Sequence, residues 1–196
     1  ALLIVDEAHG AHLPFGKNMP ASALRCGADI VIQSFHKTMG SLNQTAWMFV
    51  PDEEIAPMAW EALKMFTTTS PSYLLMASME EALLRASSEE GEQAFAAYEE
   101  RLIGYRRHLA GLENIEFIDD SYKGRYAIKD IDPSRLVFAS RKISGREMVL
   151  RMLNEHHIQL EKYGDHYAVA ITSFYDTKEG FERLMEAVWE LDAALK

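Results

Sequence analysis

The spacing of apolar positions changes along this chain, and the changes predict its elements. The opening run ALLIV (residues 1–5) is continuously apolar, the pattern of a strand covered on both faces, as in a parallel sheet. ADIVIQSF (28–35) repeats that pattern, and TAWMFV (45–50) does so again before Pro51 closes it. Between the first two runs, MPASALRCG (19–27) predicts a short helix, with Pro20 in its first turn and Gly27 just past its end. Strand, short helix and strand make a crossover unit, so the first two strands are expected to be parallel and joined right-handedly. EEIAPMAWEALKMF (53–66) predicts a helix and TTTSPSY (67–73) a polar loop.

A long helical stretch follows. Phe95, Tyr98, Leu102, Tyr105, Leu109 and Leu112 recur at threes and fours, one apolar stripe, and Ser87, Ser88 and Gly91 predict a break before it. The period then changes. IEFID (115–119) and RLVFAS (135–140) are expected strands, and Ser144 with Glu147 forms a capping box before a helix over 146–157. Residues 158–173 predict a strand pair turning at Gly164-Asp165, and Phe181, Leu184, Val188, Leu191 and Leu195 mark a last amphipathic helix. The expected division is therefore 1–112 as part of a larger α/β domain and 113–196 as a small α+β domain.

The 196 residues are 48% hydrophobic and 26% charged, the make-up of a soluble globular protein. Thirty acidic against twenty basic residues leave a formal charge of −10, which repels phosphate backbones and speaks against nucleic-acid binding. The single cysteine, Cys26, excludes an intrachain disulfide framework and fits a reducing, cytoplasmic setting. No apolar run reaches the roughly 18–20 residues of a membrane span. The chain opens directly in a buried-type strand with no initiator Met, which predicts a fragment whose upstream part lies elsewhere.

Residues 6–9, Asp-Glu-Ala-His, spell the box of a class of nucleic-acid helicases. That chemistry also needs a phosphate-cradling G-x-x-x-x-G-K-[ST] loop and a downstream run of arginines, and neither occurs. Geometry offers another reading. Asp6 follows the first expected strand, and SFHK (34–37) ends the second. Parallel neighbours bring Asp6 and Lys37 to the carboxyl edge of the sheet, where open α/β sheets bind ligands. A surface ion pair is the bland alternative. His9 and His12 have the spacing of a metal pair, but no third ligand follows at a recognisable interval, so no metal is expected.

VDEAHGAHLPF (5–15), GADIVIQSFHKTMGSLNQTA (27–46) and TTTSPSY (67–73), in that order, make the chain resemble the ornithine/lysine/arginine decarboxylase family, pyridoxal-phosphate enzymes of the aspartate-aminotransferase fold. The resemblance runs the length of the chain and is most specific over residues 1–75. It implies a large-domain portion with a mainly parallel sheet, plus a small α+β carboxyl-terminal domain. It assigns Lys37 to the Schiff base with pyridoxal 5'-phosphate and Asp6 to the pyridine nitrogen, where a carboxylate favours the protonated, electron-drawing ring. Ala8 matches the small residue against the ring face, and His9 the position near the cofactor's hydroxyl. Ser34 and His36 match residues that bind the phosphate or flank the lysine linkage, and Thr68 a threonine that reaches a phosphate across a dimer interface. Lys37, Asp6 and His36 are the implied catalytic residues. The implied reaction is decarboxylation of lysine, arginine or ornithine to the amine and carbon dioxide, in a homodimer or larger homo-oligomer without nucleic-acid or membrane partners.

The family's upstream half, with the ring-stacking residue and most of the phosphate loop, has no counterpart in the chain, so these residues alone are expected to hold the cofactor poorly. Two alternatives stay open: an acyl-transferring pyridoxal enzyme of the same fold, resembling the α-oxoamine synthases, and a non-catalytic interaction domain that kept the motifs.

Overall fold

The computed structural model describes residues 1–196, which form two compact units, Ala1–Ala96 and Ala97–Lys196. The first unit holds a three-stranded sheet ordered β1-β2-β3, from β1 (Ile4–Asp6), β2 (Ile30–Gln33) and β3 (Trp47–Phe49). β1 and β2 are parallel, with Val5 opposite Val31 and Asp6 opposite Ile32, as the crossover pattern predicts. β3 pairs with β2 antiparallel, so the expectation of a mainly parallel sheet holds for one of the two pairings. The β2–β3 link contains only the four-residue helix α1 (Phe35–Thr38).

Two further expectations are corrected. ALLIV is not buried: β1 lies at the edge of the sheet, and Leu2, Leu3 and Ile4 are 47%, 53% and 58% exposed. MPASALRCG forms a single hydrogen-bonded turn instead of a helix. Both Arg25 N–H and Cys26 N–H donate to the Ser22 carbonyl, and Gly27 at φ +88° ends the turn at once. So short a segment does not repay helix nucleation without tertiary help, and its polar groups are engaged elsewhere.

The predicted α2 (Ala56–Phe66) and the polar loop after it are present, as is the break at Ser87-Ser88 between α3 (Tyr73–Ala86) and α4 (Glu89–Leu109). Ser72 Oγ accepts the Leu75 N–H and caps α3. The two compact units divide inside α4: Phe95 stacks on Phe15 in the first, and Tyr98 on the same stripe belongs to the second. The apolar pattern alone places the change of unit later, after residue 112.

The second unit is a four-stranded antiparallel sheet ordered β4-β5-β7-β6, from β4 (Glu116–Phe117), β5 (Arg135–Ala139), β6 (Lys162–Tyr163) and β7 (Tyr167–Ile171). Helices α5 (Gly145–His156) and α6 (Lys178–Ala193) supply the rest of one core, in which Met148, Met152, Val188 and Leu191 meet Leu136, Phe138, Ala168 and Ala170. α5 begins at the predicted cap, with Ser144 Oγ accepting the Glu147 N–H, and α6 begins at Thr177, whose Oγ1 accepts the Gly180 N–H. Gly145 is required by close approach: a Cβ there would lie 2.1 Å from the Tyr167 carbonyl oxygen and 2.3 Å from that of Gly164. No helix is long and apolar enough to cross a membrane.

Candidate active site

The carboxyl ends of β1 and β2 lie side by side, and backbone hydrogen bonds knit the segments leaving them: Glu7 N–H donates to the Ile32 carbonyl and Ser34 N–H to the Ala8 carbonyl. Asp6, Ala8 and His9 therefore share one sheet edge with Ser34, His36 and Lys37. Asp6 is exposed, and its Oδ1 accepts the Ala8 N–H at 3.0 Å, a local turn that redirects the chain as it leaves the strand. Lys37 is also exposed, on α1, with Nζ 3.3 Å from His9 Nε2. The lysine amine and the imidazole nitrogen are thus within hydrogen-bond reach of each other.

The short helix that carries Lys37 is anchored by aromatic packing. Phe35 is buried and stacks on Trp47 of β3 with ring centroids 4.7 Å apart, and Trp47 in turn meets Phe49. His36, next to Lys37, places Nδ1 2.8 Å from the Thr45 carbonyl. A carbonyl only accepts, so Nδ1 holds the proton, and Nε2 donates to an anion only when the ring is charged. The Thr45 loop is itself braced: Thr45 Oγ1 donates to the Leu42 carbonyl and accepts from Ser41 Oγ at 2.5 Å. Ser34 stands at the N-cap of α1, yet its side chain makes no capping hydrogen bond.

Of the residues singled out from the sequence, Asp6, Ala8, His9, Ser34, His36 and Lys37 are brought together. Thr68 is not: it is exposed in the loop after α2, and its Oγ1 accepts the Ser70 N–H within that loop.

Two polar residues were not singled out. Glu7 and Gln33 form the interior counterpart of this edge, with Gln33 Nε2 donating to Glu7 Oε2 at 2.6 Å. Ser22 Oγ donates to the same oxygen at 2.8 Å and Ala23 N–H to Oε1 at 2.8 Å. The available signal was Gln33 itself, an amide in an otherwise apolar strand, because a buried amide demands a partner.

The family model for the major domain of Orn/Lys/Arg decarboxylases matches residues 1–134. An arginine decarboxylase of Halalkalibacterium halodurans is 32% identical over 200 residues, covering 96% of this chain and 39% of that protein. The arginine decarboxylase of Bacillus subtilis is 30% identical over 192 residues with the same coverages, 96% and 39%. The chain thus spans about two-fifths of the length of the curated relatives it matches. Among solved structures, a lysine decarboxylase of Francisella novicida matches with a TM-score of 0.70 at 22% identity, over 84% of this chain and 28% of that one. A lysine aminotransferase of Mycobacterium tuberculosis matches with a TM-score of 0.63 at 13% identity, over 100% of this chain and 42% of that one. At these identities the structural matches speak to fold alone.

Proposed function

The chain belongs to the ornithine/lysine/arginine decarboxylase family, and from that premise we propose that it forms part of a pyridoxal-phosphate enzyme that removes the α-carboxylate of a basic amino acid. The observation that supports the reading is that Asp6 ends β1 and Lys37 follows its parallel neighbour β2, with Lys37 Nζ 3.3 Å from His9 Nε2.

The donor set fits the cofactor. A primary amine, a carboxylate and an imidazole stand at one open edge, with the small side chain of Ala8 between the residues that carry the last two. Lys37 has the amine that bonds the cofactor's aldehyde carbon, and Asp6 the charge that pairs with a protonated ring nitrogen. Ala8 leaves room for a flat ring, and the Ser34 hydroxyl, unused in capping, suits a phosphate oxygen. When bound, the cofactor supplies an electron sink for the pair left on the substrate's α-carbon as carbon dioxide departs.

The chain's own residues do the rest. Asp6 keeps the proton on the ring nitrogen by charge. Lys37 Nζ and His9 Nε2 would form a pair able to hold and pass on a proton at this edge. The Phe35–Trp47 stack holds α1, and with it Lys37, in place. His36 is tethered to Thr45 and lends its Nε2 to the same edge.

Thr68 we assign to the cofactor phosphate of a second copy. Its loop joins α2 to α3, whose apolar side chains are open to solvent, Phe66 at 87% and Met65 at 73% exposed, the kind of surface a partner subunit covers.

The test is product analysis of the complete protein, loaded with pyridoxal phosphate and given L-arginine, L-lysine and L-ornithine separately. The proposal expects one of them to yield carbon dioxide and the matching amine in equal amounts. Acyl-CoA consumption, or no amine from any of the three, overturns it.

A further inference from the structure

The second letter of the Asp-Glu-Ala-His box has no role in the chemistry above, yet its carboxylate is the most densely hydrogen-bonded group at this edge. Asp6 is exposed at the end of β1, whereas the next side chain, Glu7, turns toward buried Gln33. There it accepts three donors from two other segments: Gln33 Nε2 at 2.6 Å, Ser22 Oγ at 2.8 Å and Ala23 N–H at 2.8 Å. Gln33 is 2% exposed and ends β2, immediately before Ser34 and the helix that carries Lys37. Its amide also reaches the Gly10 carbonyl at 3.5 Å. Gly10 is itself part of the arrangement, since a Cβ there would lie 2.4 Å from Glu7 Cγ. One carboxylate thus ties the end of β1, the end of β2 and the turn that replaces the expected helix at residues 22–27. The two backbone bonds that join the strand ends, Glu7 N–H to Ile32 and Ser34 N–H to Ala8, lie on either side of it.

We propose that Glu7 is a positioning residue that sets the placement of Asp6 and Ala8 relative to Lys37 through Gln33 and the 22–23 turn, without touching substrate or cofactor. This rests on the assignment of Asp6 and Lys37 made above. A carboxylate suits the task because both oxygens only accept, and all three groups facing it donate. Glutamine has the same shape but turns an N–H2 toward one or more of those donors.

The experiment uses the full-length enzyme loaded with pyridoxal phosphate. Glu7→Gln is expected to keep the cofactor's visible band but to displace that band's pH profile. It lowers kcat about tenfold to a hundredfold, the scale of a displacement near 1 Å. KM stays near the wild-type value, because Glu7 does not touch substrate. A Glu7→Gln enzyme with unchanged kcat and a superimposable band profile overturns the proposal. If Glu7→Gln does not fold, Ser22→Ala, which removes one of the three donors, decides. A several-fold loss of kcat with a displaced profile supports the role, and wild-type behaviour overturns it. Lys37→Ala run in parallel separates the two claims. If it still binds the cofactor covalently, the active-site reading has failed; if it does not and Glu7→Gln is silent, only the positioning role has.

Discussion

Asp192, one turn from the end of the chain, carries a prediction whose size can be worked from the geometry. Its side chain is 2% exposed and sits at the carboxyl end of α6, where a negative charge opposes the helix dipole. Three consecutive backbone N–H groups of the loop before β4 offset that. Oδ1 accepts from Asn114 and Ile115, both at 2.7 Å, and Oδ2 from Glu113 at 3.2 Å. Asp192→Ala orphans all three donors. An unsatisfied buried donor costs about 1–3 kcal/mol. The Ile115 bond is buried and the other two are partly open, so water recovers part of their loss. The sum is about 3–5 kcal/mol, which with a urea m-value of about 2 kcal/mol/M lowers the unfolding midpoint by about 2 M.

Asp192→Asn behaves differently. It keeps the oxygen that takes two of the donors and turns an amide toward Glu113 alone, so it costs about 1–2 kcal/mol. Urea unfolding followed by far-ultraviolet circular dichroism measures both, and hydrogen exchange at the 113–115 amides localises the effect. An alanine variant costing less than about 1 kcal/mol, or an asparagine variant as damaging as alanine, refutes the reasoning.

Two further perturbations test the second unit. Gly145→Ala drives a methyl group into the Tyr167 and Gly164 carbonyls, which are backbone and must shift; thermal unfolding is expected to show a loss of about 1–3 kcal/mol or more. Tyr98, buried with its hydroxyl 2.8 Å from Thr172 Oγ1, has its pKa raised above the usual 10 by burial. The folded state therefore keeps a proton that the unfolded chain releases above about pH 10, and stability falls as pH rises past that point. Tyr98→Phe removes this component. Stability curves of the two proteins that run parallel from pH 9 to 11 contradict the assignment.

What was legible in the sequence was what local pattern encodes. The stripe of Phe95, Tyr98, Leu102 and Leu109, the cap at Ser144 and the turn at Gly164-Asp165 each arise from neighbours within a few residues. The parallel pairing of β1 with β2 was read from the crossover pattern and holds although the short helix within it is a turn. What stayed hidden depends on partners far along the chain. Apolar composition indicates that ALLIV is strand but not whether anything in this chain covers it, and Ile4 is exposed. MPASALRCG has helical signals at both ends, but Glu7 engages the Ser22 hydroxyl and the Ala23 N–H, and the segment stays a turn. The Phe35–Trp47 stack and the hold of Asp192 on residues 113–115 have no local signature either.

The central claim is that Lys37 is the amine that binds the cofactor opposite Asp6. Borohydride reduction of the full-length protein with pyridoxal phosphate, followed by mass-spectrometric mapping of the labelled peptide, tests it most directly. The account predicts a pyridoxyl group on Lys37, absent from Lys37→Ala. Labelling at another lysine such as Lys17 or Lys64, or equal labelling of the Lys37→Ala protein, would contradict it.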